Sequence, residues 1–271
     1  MSSGLRTAVR VVIMFIAALV SLAIVGGLGV LAFGIGNSRV VNDRQTLPTA
    51  MRSLVVDTGD VPVTVLLVAD DNATEPRVEL GMLARVDTRL TITDVGDRSR
   101  VTLGDKGLGF LAFNGAGELK VILPPAVARG LSVTVNHRAG SLVADAELDQ
   151  LVADIDGGAV TLGGSARMID VNVSRGDIKA STRIGVTESF KANTEFGSIS
   201  VDFSEVPRVT EATAHGNVTL GLPGPGPYRV RAQSEKPHGD TKVTVPETTD
   251  PKAPLVTVRS RSDDANVTEL R

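Results

Sequence analysis

Residues 168–180 read MIDVNVSRGDIKA, and the alternation in this stretch decides what kind of structure the chain builds. Ile169 and Val171 stand seven and five positions before Gly176, and Ile178 and Ala180 stand two and four after it. Apolar residues at period two read as strands with one face turned inward. A glycine between two such runs reads as the turn that joins them.

The same phase recurs along the chain. Gly140 is flanked by Val133, Val135, Leu142 and Ala144, and Gly158 by Leu151, Ala153, Val160 and Leu162. Gly197 is flanked by Phe190, Ala192, Ile199 and Val201. Gly216 keeps Val209, Val218 and Leu220, with Glu211 interrupting the slot at minus five, and Gly239 follows. The intervals from Gly140 to Gly158 and to Gly176 are 18 residues each, and the later ones are 21, 19 and 23. A two-strand unit of about 18–20 residues cannot bury its own apolar face, so successive units must stack. The fold expected is therefore all-β, a β-solenoid or β-roll with Gly140, Gly158, Gly176, Gly197, Gly216 and Gly239 as structural turn glycines. Ladders of small aliphatics would fill its interior, in keeping with 3% aromatic residues and no Trp. Ala265, in DDANVTEL, is expected to occupy the glycine slot of a last, more polar unit that caps the stack. Arg175-Gly176-Asp177 has the form of a receptor-binding tripeptide, but it falls in phase with the repeat and reads as a turn of that repeat.

Ahead of the repeat, residues 11–38 carry no charge and include VVIMFIAALVSLAIVGGLGVLAFGIG. A spanning helix needs about 20 apolar residues, whereas the apolar core of a cleaved signal peptide is about 7–15 long. The reading is a retained anchor over 11–36, after a basic tail over 1–10 that holds Arg6 and Arg10. Such a tail sits in the cytoplasm, and long domains translocate whatever their charge, so the remainder is expected outside the cell membrane. Residues 37–50 read as a polar linker, and 51–271 as the extracytoplasmic domain. With no Cys there is no disulfide, thiolate metal site or cysteine nucleophile. A net charge of −3 without a basic block leaves no footprint for nucleic acid.

The pattern resembles a bacterial putative-adhesin family of β-solenoid domains without assigned activity. The residues that carry the resemblance are LVVDTGDVPVTV, LKVILPPAVARGLSVTVNHRAGSLVAD, the units GDIKAS, GSISVD and GNVTLGL, and the closing PYRVRAQSEKPHGDTKVTV. It covers roughly residues 50–271 and departs from the family pattern around GLPGPGPY and at Ala265. The resemblance implies a membrane-tethered or secreted envelope protein and no particular chemistry.

Candidate chemistry is sparse. Asp154, Asp156, Asp170 and Asp177 could bring carboxylates together across stacked strands, as a glycosidase requires, but no aromatic platform accompanies them. His215 and His238 each precede a turn glycine, yet they lack a third metal ligand, and His137 stands apart. No nucleophile elbow or phosphate loop occurs. The expectation is a non-catalytic envelope protein with no cofactor and no bound metal. Its partners would be the membrane through its single-pass anchor, and an envelope protein, a glycan or its own copies through its β faces. The alternatives are an enzyme acting on envelope polysaccharide and a component of a membrane stress-sensing system.

Overall fold

The computed structural model describes residues 38–85, 89–104, 117–236 and 239–270. The tail over 1–10 and the anchor over 11–36 lie outside these residues. Among the described residues no helix is long and apolar enough to cross a membrane. The described chain is all-β, with one helical turn at Pro125–Ala128.

The repeat centred on Gly158 shows how the strands pack. Strand β9 (Leu142–Gly157) runs parallel to β10 (Val160–Arg175), with Leu142 opposite Val160 and Leu151 opposite Ile169. One repeat thus lies directly on the next. β10 in turn pairs in parallel with β11 (Ile178–Ala180) and β12 (Ile184–Phe196). Beyond these, β13 (Ile199–Glu205) pairs with β15 (Val218–Pro223), and β12 with β14 (Val209–Ala214). Each repeat therefore has one strand before its turn and one after it, and like strands of successive repeats pair in parallel. Inward positions form continuous ladders. Val133, Leu151, Ile169 and Phe190 make one, and Leu142, Val160, Ile178, Ile199 and Val218 make another, all of them buried. Each such side chain contributes roughly 1.5–3 kcal/mol through burial. Aliphatic side chains dominate the interior, and Phe190 meets Phe203 there edge to face at 5.1 Å.

The repeat slips at one coil. Phe190 stands opposite Thr210, so the inward residues before Gly216 are Thr210, Ala212 and Ala214 rather than Val209. Glu211 points outward and interrupts nothing, because this coil reaches its turn one residue sooner than its neighbour.

Both ends of the stack differ from a simple succession of units. β18 (Leu255–Ser260) lies between β14 and β16 (Arg229–Ser234), parallel to both. β19 (Ala265–Leu270) lies between β15 and β17 (Thr241–Val243). The last coil in sequence is thus an interior layer, and the coil before it forms the end. Ala265 accordingly does not hold a glycine slot. It pairs with Val218 and Thr241 and is fully buried in an inward ladder, with its parity set by those neighbours.

The opposite end repeats the device. β2 (Ser53–Gly59) lies between β6 (Arg98–Gly104) and β8 (Ser132–His137), while β3 (Val63–Ala69) lies between β7 (Gly117–Leu123) and β9. The outermost strands here are antiparallel: β5 (Arg89–Val95) on β6, β4 (Arg77–Arg85) on β7, and β1 (Ser38–Thr46) on β4. The segment 37–50, read from sequence as a linker, therefore contains a nine-residue strand. Its polar residues are tolerated because β1 is an edge strand with Asn42, Arg44 and Thr46 turned to solvent.

Candidate binding surface

The turn edge is built by backbone contact. Gly140, Gly158 and Gly176 all adopt positive φ, at 121°, 137° and 147°. A side chain at Gly158 would overlap the carbonyl oxygen of Gly140, one at Gly176 that of Gly158, and one at Gly197 that of Gly176. Gly197 has the same close approach without a φ in the left-handed range. Gly216 donates its N–H to the Gly197 carbonyl at 2.8 Å, and Gly239 donates to Lys236 at 3.0 Å. Within the tripeptide, Asp177 is occupied in the turn, its Oδ1 accepting the Ser198 N–H at 2.9 Å. Arg175 is exposed and stands in register with Phe196.

Of the four aspartates, Asp154 and Asp170 lie diagonally across β9 and β10 on one outward face. Asp154 pairs in register with Asn136 and Asn172, Asp170 with Val152 and Lys191, and Asp177 belongs to the turn. Asp170 alone of the four lines a shallow depression of about 290 Å³, with Asn172, Lys191, Asn193, Glu211 and Thr213. These residues are the outward positions of three adjacent strands, β10, β12 and β14. They form two rows across the strands: Asp170, Lys191, Glu211, and beside it Asn172, Asn193, Thr213. The charged row sets one lysine between two acids, with Lys191 Nζ 3.8 Å from Glu211 Oε2. Asn172 donates to Asp170 Oδ1 at 3.3 Å.

The same three strands end in an aromatic rim that the sequence reading missed. Phe196 is 63% exposed, and the His215 ring lies 5.8 Å from it, tilted by 45°. Phe196 shares the parity of the buried Phe190 but lies past the end of the core layer, where the inward direction opens to water. Its sequence signal was its position: it stands immediately before a turn glycine, where the preceding coils place Gly157 and the exposed Arg175.

The other histidines are arranged differently. His137 is buried, and its Nδ1 lies 2.5 Å from Thr58 Oγ1, while Nε2 has no hydrogen-bond partner. Burial pushes its pKa below the ordinary 6.5, and the backbone carbonyls of Val63 and Gly140 act in the opposite direction. His238 lies outside the described residues. Among the described residues no cluster of three His, Cys, Asp or Glu side chains could hold a metal.

The corner opposite the turns carries a charge ladder at coil spacing. Arg167 reaches Asp149 Oδ1 at 2.8 Å through Nε, and Glu188 Oε2 at 2.6 Å through Nη1. The Arg167 hydrogen bond holds Asp149 below the usual carboxylate range, and the two acids push Arg167 further above its own. These groups are a third to a half exposed, so the ladder aligns coils more than it stabilises them.

No family model matches the chain, and no curated protein matches it. Three solved bacterial structures illustrate what it is similar to. One is a putative adhesin from Bacteroides fragilis, with TM-score 0.42 and 10% identity, covering 86% of this chain and 97% of the other. Another is a putative lipid binding protein from Parabacteroides distasonis, with TM-score 0.40 and 11% identity over 85% and 97% of the two chains. A putative cell adhesion protein from Clostridium sporogenes has TM-score 0.38 and 10% identity over 86% and 100%. Likenesses of this degree assign neither a family nor a function to the chain.

Proposed function

We propose that the chain is a non-catalytic protein of the cell envelope, held to the membrane by residues 11–36, whose β-solenoid presents its outer faces for interaction. The observation that carries this reading is the regular outward surface. Parallel strands hold polar side chains in rows, neighbours within a row about 4.8 Å apart, on a scaffold whose inward positions are buried aliphatics. On the layer after the turns, one such row is Thr161, Lys179, Ser200 and Thr219. An enzyme acting on polysaccharide would need two carboxylates facing each other across a cleft, whereas Asp154 and Asp170 stand side by side on an outward face and Asp177 belongs to the turn. The anchor rests on the uncharged run at residues 11–38 and would hold the stack close to the bilayer.

The reading is tested by photo-crosslinking in cells, with the probe placed in turn at Lys179, Ser200 and Thr219. A discrete adduct whose yield depends on probe position is the expected result. Adducts to the chain itself would make the partner a second copy. The absence of adducts from all three positions would remove this face as an interaction surface.

A further inference from the structure

We infer that the open edge of the end coil, strand β16, docks a second copy of the chain through that copy's own β16, the two strands running antiparallel about Ala232. This edge is distinct from the outer faces, and the inference stands or falls apart from the outer-face reading.

Among the described residues β16 is paired on one side alone, with β18. Arg229 donates its N–H to the Pro254 carbonyl and Glu235 to that of Ser260, both at 2.9 Å, so the odd-numbered residues turn their backbone groups toward β18. Val230, Ala232 and Ser234 turn theirs the other way, where no described strand lies. Just before them the same side of Tyr228 is filled, its N–H reaching Pro246 and its carbonyl accepting from Thr248. Beyond that point a depression of about 700 Å³, walled by Thr248 and Thr249, lies beside Val230. An unpaired edge with room beside it is a template for another strand.

The two ends of the stack treat their edges differently. On β1 the inward positions include Asp43 and Gln45, and Gln45 donates to the Leu90 carbonyl of β5 at 3.1 Å. An inward charge of this kind blocks edge pairing. On β16 and β17 the inward positions carry no charge, and Val230, Ala232 and Val243 are half-buried aliphatics packed against the core. Thr241 shares the inward parity of Val243 and is nevertheless exposed, so the inward direction opens to water at this end. The sequence of β16 suits a copy of itself. An antiparallel register centred on Ala232 pairs Val230 with the second copy's Ser234 and Ala232 with its own counterpart, which uses all three unpaired residues. The same register sets Arg229 opposite Glu235 and Arg231 opposite Gln233, so no like charges face each other.

The chain has no Cys, so Ala232→Cys in the full-length protein in detergent carries a single thiol. In the antiparallel pair expected at this position the two Cα atoms stand about 5.5 Å apart, within the disulfide range of about 4.4–6.8 Å. Mild oxidation should join two chains in Ala232→Cys and not in Thr219→Cys, whose thiol lies on the outer face. Sedimentation of the unmodified chain should give a dimer that Ala232→Pro weakens roughly tenfold or more, because proline removes the N–H aimed at the second copy. That N–H takes no part in pairing with β18, so the melting curve of Ala232→Pro should stay in place. Glu235→Lys, an exposed change that sets a second cation opposite Arg229, should weaken the dimer as well and serves if proline disturbs the fold. A chain that stays monomeric overturns the assignment, as does a dimer unmoved by both variants. A disulfide that forms in Thr219→Cys and not in Ala232→Cys also overturns it and places the contact on the outer face.

Discussion

His137 occupies a ladder position that the neighbouring coils fill with Ile155 and, beyond it, Val173. It is tolerated there because the register shift at Thr58 turns a hydroxyl toward Nδ1, while Nε2 is left without a partner. Protonation would place a charge where burial already penalises it. A folded-state pKa below 6.5 means that the folded protein binds this proton less readily than the unfolded chain does. The stability tied to the neutral ring is therefore present above pH 6.5 and lost as pH falls through the folded value. Urea midpoints measured at about pH 7.5 and about pH 5.5 should drop in the wild type and drop less in His137→Gln. Equal drops in the two proteins would show that His137 carries no such linkage. The alternation of Val133, Val135 and His137 puts the ring on the inward parity, and it is the polar character of His that hides this in the sequence.

Among the elements, β14 shows what an off-phase coil costs. Its one-residue slip turns Thr210 inward between Phe190 and Val256, in a fully buried position where its hydroxyl has no hydrogen-bond partner. A buried hydroxyl of this kind costs on the order of 1–3 kcal/mol in lost solvation. Thr210→Val keeps the shape and removes the polar atom, so it should raise the denaturation midpoint, by about 1 kcal/mol in stability. A lowered midpoint would mean that the hydroxyl is satisfied in solution. The slip was not readable from the strand itself. VTEAT alternates in either register, and only pairing with β12 and β18 selects the one that buries Thr210 and exposes Glu211.

For the whole molecule the decisive feature is that the strands β2 and β3 near one end and β18 and β19 at the other lie inside the stack rather than at its edges. Among the described residues β16 pairs with β18 and β17 with β19, and neither has another paired strand, so the end coil is held by the segment that follows it in sequence. Removing residues 255–271 should do more than take away a cap. It should leave 224–254 without the layer beneath it, while the coils up to β15 keep theirs. Trypsin should then cut at Arg229, Arg231 or Lys242 in the truncated chain under conditions in which the full chain resists. Equal protection in the two proteins would contradict the observed coil order.

Much of this was settled by local pattern. Alternation around Gly140, Gly158, Gly176 and Gly197 determined strands, turns, and the inward residues Leu151, Ile169, Ile178 and Ile199, because a period of two leaves one face for the core. It also determined that Asp177 would be a turn residue. Tertiary structure alone decided the order of the coils at both ends, the strand within 37–50, the interior place of Ala265 and the exposure of Phe196. The physical reason is common to all four. A strand's own residues set its two faces, but which backbone it pairs with, and whether a face meets a neighbour or water, depends on segments distant in sequence.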